Sequence, residues 1–231
     1  MSWLSIIVPT LNEAQHIVSA LTRLEPLREH GIEIIVADGG STDGTPALAA
    51  PLADQVLAAP LGRARQMNVG AARANGLALL FLHADTRLPD DALRAVDRAL
   101  NRHRWGRFNV RFESRRPLLW LVARMMNLRS RLTGIATGDQ ALFVTRAAFE
   151  SVGGFPEQPL MEDIELSRRL KKLGAPACLK IPVVTSARRW EEHGTWHTIV
   201  LMWRLRWAYW RGAEPAQLAQ HYNRPAREMK P

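Results

Sequence analysis

Three nearly continuous apolar runs, Ser5–Val8, Ile32–Ala37 and Leu77–Leu82, each stop at a small polar cluster. The clusters are Pro9–Glu13, Asp38–Gly44 and His83–Asp85. Strands that are apolar throughout, rather than alternating, must be covered on both faces. When helical segments separate them, they specify a mostly parallel sheet in an α/β fold. Helical spacing predicts helices over Ala14–Leu24, Thr45–Ala50, Arg63–Ala74 and Pro89–Leu100, with a weak strand over Gln55–Ala58. Asn12 is predicted as the N-cap of the first helix, and Pro46 suits the first turn of the second. Ligands of such sheets bind beyond the carboxyl ends of the strands, so the three polar clusters converge on one edge.

The second half is less regular. A strand is predicted over Phe108–Phe112, an arginine-bearing helix over Leu118–Leu132, a strand over Ala141–Thr145, a helix over Glu162–Leu173 and a tryptophan-rich helix over Thr195–Arg211. A chain of 231 residues holds one sizeable α/β domain or two small ones. No uncharged apolar run approaches the roughly 18 residues of a membrane-spanning helix. The opening MSWLSIIVPT reads as a first strand rather than a signal peptide, and the single Cys178 excludes an internal disulfide framework, so a cytoplasmic setting is expected.

The net charge is +9, and lysine occurs only at 171, 172, 180 and 230, which leaves 27 of the 31 basic residues as arginine. Arginine holds phosphate in a bidentate fork. Its abundance fits a polyanion, an anionic membrane surface, a phosphorylated small molecule or simply a solvated face.

Four segments carry candidate chemistry. Asp38 ends a strand and is followed by Gly39, Gly40, Ser41, Thr42, Asp43 and Gly44. It either caps a tight turn or accepts hydrogen bonds from a ligand that the glycines let approach. No G-x-x-x-x-G-K-[ST] is present, so this is not a phosphate loop of that kind. Asp85, after LALLFL, is either a turn residue or a ligand for a divalent cation that neutralises a diphosphate. Gly62–Asn68 opens a helix with two arginines, either a solvated turn or an anion site. Glu162 and Asp163 open another helix; acids there compensate the helix dipole, and the same place suits a general base for a hydroxyl.

The order of these segments resembles the motif series of glycosyltransferase family 2: Pro9-Thr10-Leu11-Asn12-Glu13, Val36-Ala37-Asp38-Gly39-Gly40-Ser41-Thr42-Asp43-Gly44-Thr45, Leu82-His83-Ala84-Asp85, Gly138-Asp139-Gln140 and Glu162-Asp163. The resemblance runs from about residue 4 to about residue 190, and the chain is similar to a compact bacterial subgroup with poorly defined acceptors. It implies a GT-A fold and inverting transfer from a nucleotide-diphosphate sugar, a UDP-sugar, to an acceptor hydroxyl. Pro9, Asn12 and Glu13 would line the nucleoside pocket, Asp38 would bind the base with Gly40 and Ser41 beside it, and Arg65 and Gln66 would sit by the ribose or diphosphate. Asp85 would hold Mn2+ or Mg2+, although His83 stands where the family's metal motif has its first acid. Gly138, Asp139, Gln140, Glu162, Arg189 and Trp190 would shape the sugar and acceptor site, and Asp163 would be the catalytic base. His193 is either a further metal ligand or a lone surface histidine. Arg189-Trp190 lacks the full Q-x-x-R-W of processive synthases, so a processive enzyme is not expected.

On this reading 1–231 is one domain: a nucleotide-binding half over 1–100, an acceptor and catalytic half over 101–190, and a Trp/Arg-rich helical extension over 191–231. Trp203, Trp207 and Trp210 form one helical stripe, with Leu201, Leu205 and Ala208 opposite. A helix apolar on two sides is expected to lie in a core or a homo-oligomer interface, or else on an anionic membrane with Leu118–Leu132 adding to it. Two other functions fit parts of the sequence. One is a sugar-nucleotide-binding protein without catalysis. The other is a basic nucleic-acid-binding protein, which is disfavoured because acids cluster at the sheet edge and no nucleic-acid motif occurs.

Overall fold

A computed structural model of the protein describes residues 2–192 and 194–223. His193 and the last eight residues lie outside them. The first half alternates as the apolar runs dictate: β1 (Leu4–Thr10), α1 (Ala14–Thr22), α2 (Glu25–Glu29), β2 (Glu33–Asp38), α3 (Thr45–Ala49), β3 (Gln55–Ala58), α4 (Arg63–Arg73) and β4 (Ala78–Phe81). A short β5 (Thr86–Arg87) and α5 (Ala92–Leu100) lead into β6 (Trp105–Glu113) and the long α6 (Pro117–Thr133). A 3-10 turn at Gly138–Gln140 precedes β7 (Phe143–Thr145) and α7 (Arg146–Ser151). Then come α8 (Glu162–Lys171), β8 (Ala177–Ser186), α9 (Arg188–Glu192), α10 (Thr195–Trp210) and α11 (Pro215–Asn223).

One eight-stranded sheet results, in the order β3-β2-β1-β4-β7-β6-β8-β5. The sheet is mixed. β7 is antiparallel to β4 and β6, and β5 is antiparallel to β8, while the other six strands run one way. The reversal of β7 has a simple cause. β6 ends at the carboxyl edge, and the segment after α6 brings the chain back to that edge at Gly138, from which β7 starts in the opposite direction.

Side chains of the central strands alternate between two buried clusters. Ile6, Val8, Ile34, Val36 and Leu80 pack with Ile17, Leu21 and Val96 on one face. Ile7, Ile35, Leu79 and Phe81 pack with Met67, Ala71, Phe149 and Leu170 on the other. Both faces are apolar because helices cover both. Gly70 lets α4 lie close on β1, since a Cβ there would meet Ile7 Cγ2 at 2.5 Å. That approach aims the N-terminus of α4 at the sheet edge.

Asn12 does not cap α1. Glu13 occupies the N-cap position without a side-chain cap bond. Asn12 has φ 53°; its Oδ1 accepts from Thr42 N (2.9 Å) and its N–H donates to Ser41 Oγ (2.8 Å). Asp43 reaches across to accept from Ala14 N at 2.9 Å, so the neighbouring loop satisfies the helix start. The first two motifs are thereby joined into one lip. Helix α10 is packed on only one of its two apolar sides: Leu205 is buried, with Leu201 and Ala208 beside it, whereas Trp203, Trp207 and Trp210 are exposed.

Candidate active site

The C-terminal ends of β1, β4, β6 and β8 meet the turn before β7 and the start of α8 around a cavity of about 290 Å³. Pro9, Glu13, Asp85, Gly138, Asp139, Glu162, Asp163, Arg189 and Trp190 line it, as the motif series implies. The structure adds residues that motif reading did not single out. Phe112, Thr185 and Ser186 come from strand ends, and Thr198, Met202, Arg206 and Tyr222 from the C-terminal helices; Arg63, one of the two arginines of the Gly62–Asn68 segment, lines it from the start of α4.

Asp163 sits in the first turn of α8, and both its oxygens are placed by backbone donors. Oδ2 accepts from Gly138 N at 2.9 Å and Oδ1 from Ile164 N at 2.7 Å. Met161, just before, is held at φ 66°, and Ala141, just after the Gly138–Gln140 turn, at φ 44°. Among the described residues the only other non-glycine with positive φ is Asn12. Such backbone strain, of order 1–3 kcal/mol each, collects at functional sites, and here every instance adjoins a motif.

The site mixes acids and arginines. Glu162 Oε1 lies 3.9 Å from Arg63 Nη1. Burial, with the neighbouring Asp163 charge, pushes the Glu162 carboxyl up to about 7 against the pull of Arg63. Asp139 lines the cavity with its side chain 41% exposed; desolvation within the site, opposed by Arg63 and reinforced by Asp85 and Asp163, pushes it up to about 6. His83 Nδ1 lies 3.7 Å from Asp139 Oδ1, and burial with Arg63 nearby holds the imidazole well below its ordinary value, so it is neutral at pH 7. Burial lowers Arg206, while Asp163 and Asp139 favour its charge. Arg189 stacks on Tyr222 at 3.5 Å and donates to Tyr222 O at 3.0 Å, so α11 closes over the cavity beside α9. Arg188 points at Glu13, 3.7 Å between Nη2 and Oε1.

Other implied residues lie outside the cavity lining. The Asp38 carboxylate already accepts four hydrogen bonds, from Thr10 Oγ1, Ser41 Oγ, Gly40 N and Ser41 N. It shapes the lip. Gln66 is buried, and its Nε2 donates to Thr10 O (2.6 Å) and Ala37 O (3.1 Å), tying the ends of β1 and β2 together. Arg65 pairs with Glu157 at 3.3 Å, so the cavity arginine of α4 is Arg63, two residues earlier. Gln140 is buried and forms a capping box with Thr137 across the turn. None of these four side chains is among those lining the cavity. His193, read as either a further metal ligand or a lone surface histidine, lies outside the described residues.

Asp85 and Asp139 offer hard carboxylate oxygens to a cation, and their mutual repulsion favours one. Among the described residues no three His, Cys, Asp or Glu side chains are grouped to hold a metal ion by themselves. The donor set therefore fits a divalent cation whose remaining ligands come from a bound phosphate or water.

A family model described as glycosyl transferase family 2 matches residues 5–145. The β-monoglucosyldiacylglycerol synthase of a Nostoc species is 25% identical over 226 residues, covering 85% of this chain and 48% of the relative. The succinoglycan biosynthesis protein ExoA of Rhizobium meliloti is 45% identical over 51 residues, 22% of this chain and 16% of that protein. The chain thus spans about half or less of the length of these relatives. Among solved structures, the mannosyltransferase PcManGT from Pyrobaculum calidifontis, in complex with GDP-Man and Mn2+, superposes with a TM-score of 0.66 at 22% identity, over 89% of this chain and 61% of that one. Glucosyl-3-phosphoglycerate synthase from Mycobacterium tuberculosis, with Mn2+, UDP and glucosyl-3-phosphoglycerate, gives 0.59 at 20% identity, over 80% and 71%. At these identities the superpositions show the shared fold.

Proposed function

The chain belongs to glycosyltransferase family 2, and on that premise we propose that it moves a sugar, with inversion, from a nucleotide-diphosphate donor to an acceptor hydroxyl. A UDP-sugar is the donor we favour. The observation that carries the reading is the placement of Asp163. Its carboxylate, fixed by Gly138 N, faces the same cavity as Asp85, Asp139 and Arg63, at the carboxyl edge of the sheet.

The nucleoside lies on the lip made by Pro9, Asn12, Glu13 and the Asp38–Ser41 loop. Asp38 accepts the base N–H once the Ser41 hydroxyl rotates away from it. Arg63 takes the diphosphate, in the place that the motif resemblance assigned to Arg65. Asp85, with Asp139, would hold the divalent cation, which when bound would supply positive charge against the leaving diphosphate. Asp163 removes the acceptor proton as the hydroxyl attacks the anomeric carbon from the opposite face. Glu162 and Arg189 border the sugar and acceptor space, and Trp190 walls it.

Support comes from the relatives bound to GDP-Man or UDP with Mn2+ and from the donor chemistry of the cavity. The test is a panel of UDP- and GDP-sugars read by thermal shift with Mn2+ or Mg2+. A ligand that binds only the folded state must raise Tm. At least one donor should do so with metal, and the shift should disappear in Asp85→Ala. No shift with any donor and either metal would remove the reading.

A further inference from the structure

Helix α10 has three faces. Leu201 and Leu205 pack inward against Met161, Ile164 and Leu218. Thr198, Met202 and Arg206 line the cavity. The third face carries Trp196, Val200, Trp203, Trp207 and Trp210 at i, i+4, i+7, i+11 and i+14, and its four tryptophans are between 59% and 73% exposed. Helix α6 repeats the pattern. Leu119, Val122 and Ala123 are buried, while Leu121, Met125, Leu128 and Leu132, on the opposite side, are exposed. The two helices share one buried cluster: Leu119, Val122 and Ala123 of α6 belong to it with Val110, Phe112 and Ala187, and Ile199 of α10 packs against it.

Exposed stripes of this size mark a contact surface, and charge identifies the partner. Neither α6 nor α10 contains an Asp or Glu. Arg124 and Arg131 flank the α6 stripe, and Arg204 and Arg211 flank that of α10. Arg124 stacks on Trp120 at 4.7 Å and Arg211 on Trp207 at 4.8 Å, so guanidinium groups lie at the level of the indoles. A two-fold contact through this face would set arginines against arginines with no acid between them. Lipid phosphates would neutralise them, and indole is the side chain suited to the boundary between headgroups and acyl chains. Among the described residues no helix is long and apolar enough to cross a membrane.

We propose that the tryptophan face of α10 and the leucine face of α6 dock together on an anionic bilayer surface. The docked protein lies on the bilayer without spanning it. Because α10 carries both the docking face and one wall of the cavity, docking holds the site beside lipid headgroups. The proposal concerns the surface and stands independently of the donor chemistry.

The experiment is flotation of the purified chain with vesicles of phosphatidylcholine alone and of equimolar phosphatidylcholine and phosphatidylglycerol, at low and high salt. The protein should float with the anionic vesicles at low salt and much less at high salt or with phosphatidylcholine. Trp203→Ser/Trp207→Ser should reduce flotation by about tenfold or more, with Tm and thermal-shift response to donor unchanged. Arg204→Glu/Arg211→Glu should reduce it as well and remove the salt dependence. Absence of flotation with anionic vesicles at either salt would overturn the proposal. So would a stable dimer in sedimentation equilibrium that the tryptophan variant dissociates, because a second copy would then cover the face. Donor binding without vesicles reads the transferase assignment separately.

Discussion

The backbone N–H of Gly138 donates to Asp163 Oδ2 at 2.9 Å. This one bond couples the turn that carries Asp139 to the helix that carries the proposed base. The same glycine sits against His83, because a Cβ at position 138 would lie 2.7 Å from its Cε1. Gly138→Ala must therefore displace the turn or the imidazole. We expect a loss of about 1–3 kcal/mol in stability and at least a tenfold fall in release of nucleoside diphosphate from the donor. Chemical denaturation and a coupled release assay measure the two effects. Wild-type turnover in this variant would show that the turn does not position the site.

Arg63 and Arg65 make opposite predictions. Arg63 lines the cavity 3.9 Å from Glu162, whereas Arg65 pairs with Glu157 outside it. Arg63→Lys, which keeps the charge and loses the fork, should weaken donor binding about tenfold or more in calorimetric titration. Arg65→Ala should change it less than about threefold, as expected for an exposed pair. The reverse pattern would return the diphosphate to Arg65.

Glu162 predicts a pH dependence. Its carboxyl is raised from 4.5 to about 7 in the folded protein, first by burial and then by Asp163. The folded state then binds more protons than the unfolded state between those values, so stability falls as pH rises from about 4.5 to about 7 and levels off above. Glu162→Gln should melt close to wild type at pH 5 and be more stable at pH 8, by about 1–3 kcal/mol on the linkage scale. Parallel Tm curves across that range would contradict the assignment.

Gln66 holds Thr10 O and Ala37 O together beneath the lip. Gln66→Ala leaves a buried gap and removes both bonds, at a cost of about 1–3 kcal/mol. Urea unfolding measures that cost directly. Donor affinity should also fall, although Gln66 does not line the cavity, because the lip packs on its amide: a Cβ added at Gly39 would lie 3.0 Å from it.

The parallel half of the fold was legible because β1, β2 and β4 are apolar on both faces, which few other arrangements tolerate. β8 escaped reading because Lys180 and Pro182 interrupt its apolar pattern, and with it went Thr185 and Ser186 on the cavity wall. The Pro9–Glu13 and Asp38–Gly44 motifs predicted where a lip forms but not how. Asn12 looked like a local cap, yet its bonds run to Ser41 and Thr42, some thirty residues away. Arg206 and Tyr222 reach the site only because α10 and α11 fold back over it, and no local spacing marks that return. The one sequence-level sign for Arg206 is its place off both apolar stripes of α10.

The most direct measurement compares Asp163→Asn with wild type for both donor binding and turnover, using the donor that gives the largest thermal shift. The account predicts a Kd within about threefold of wild type and a fall in nucleoside diphosphate release of about 100-fold or more, the scale of a lost general base. Wild-type release by Asp163→Asn, with donor binding intact, would contradict it.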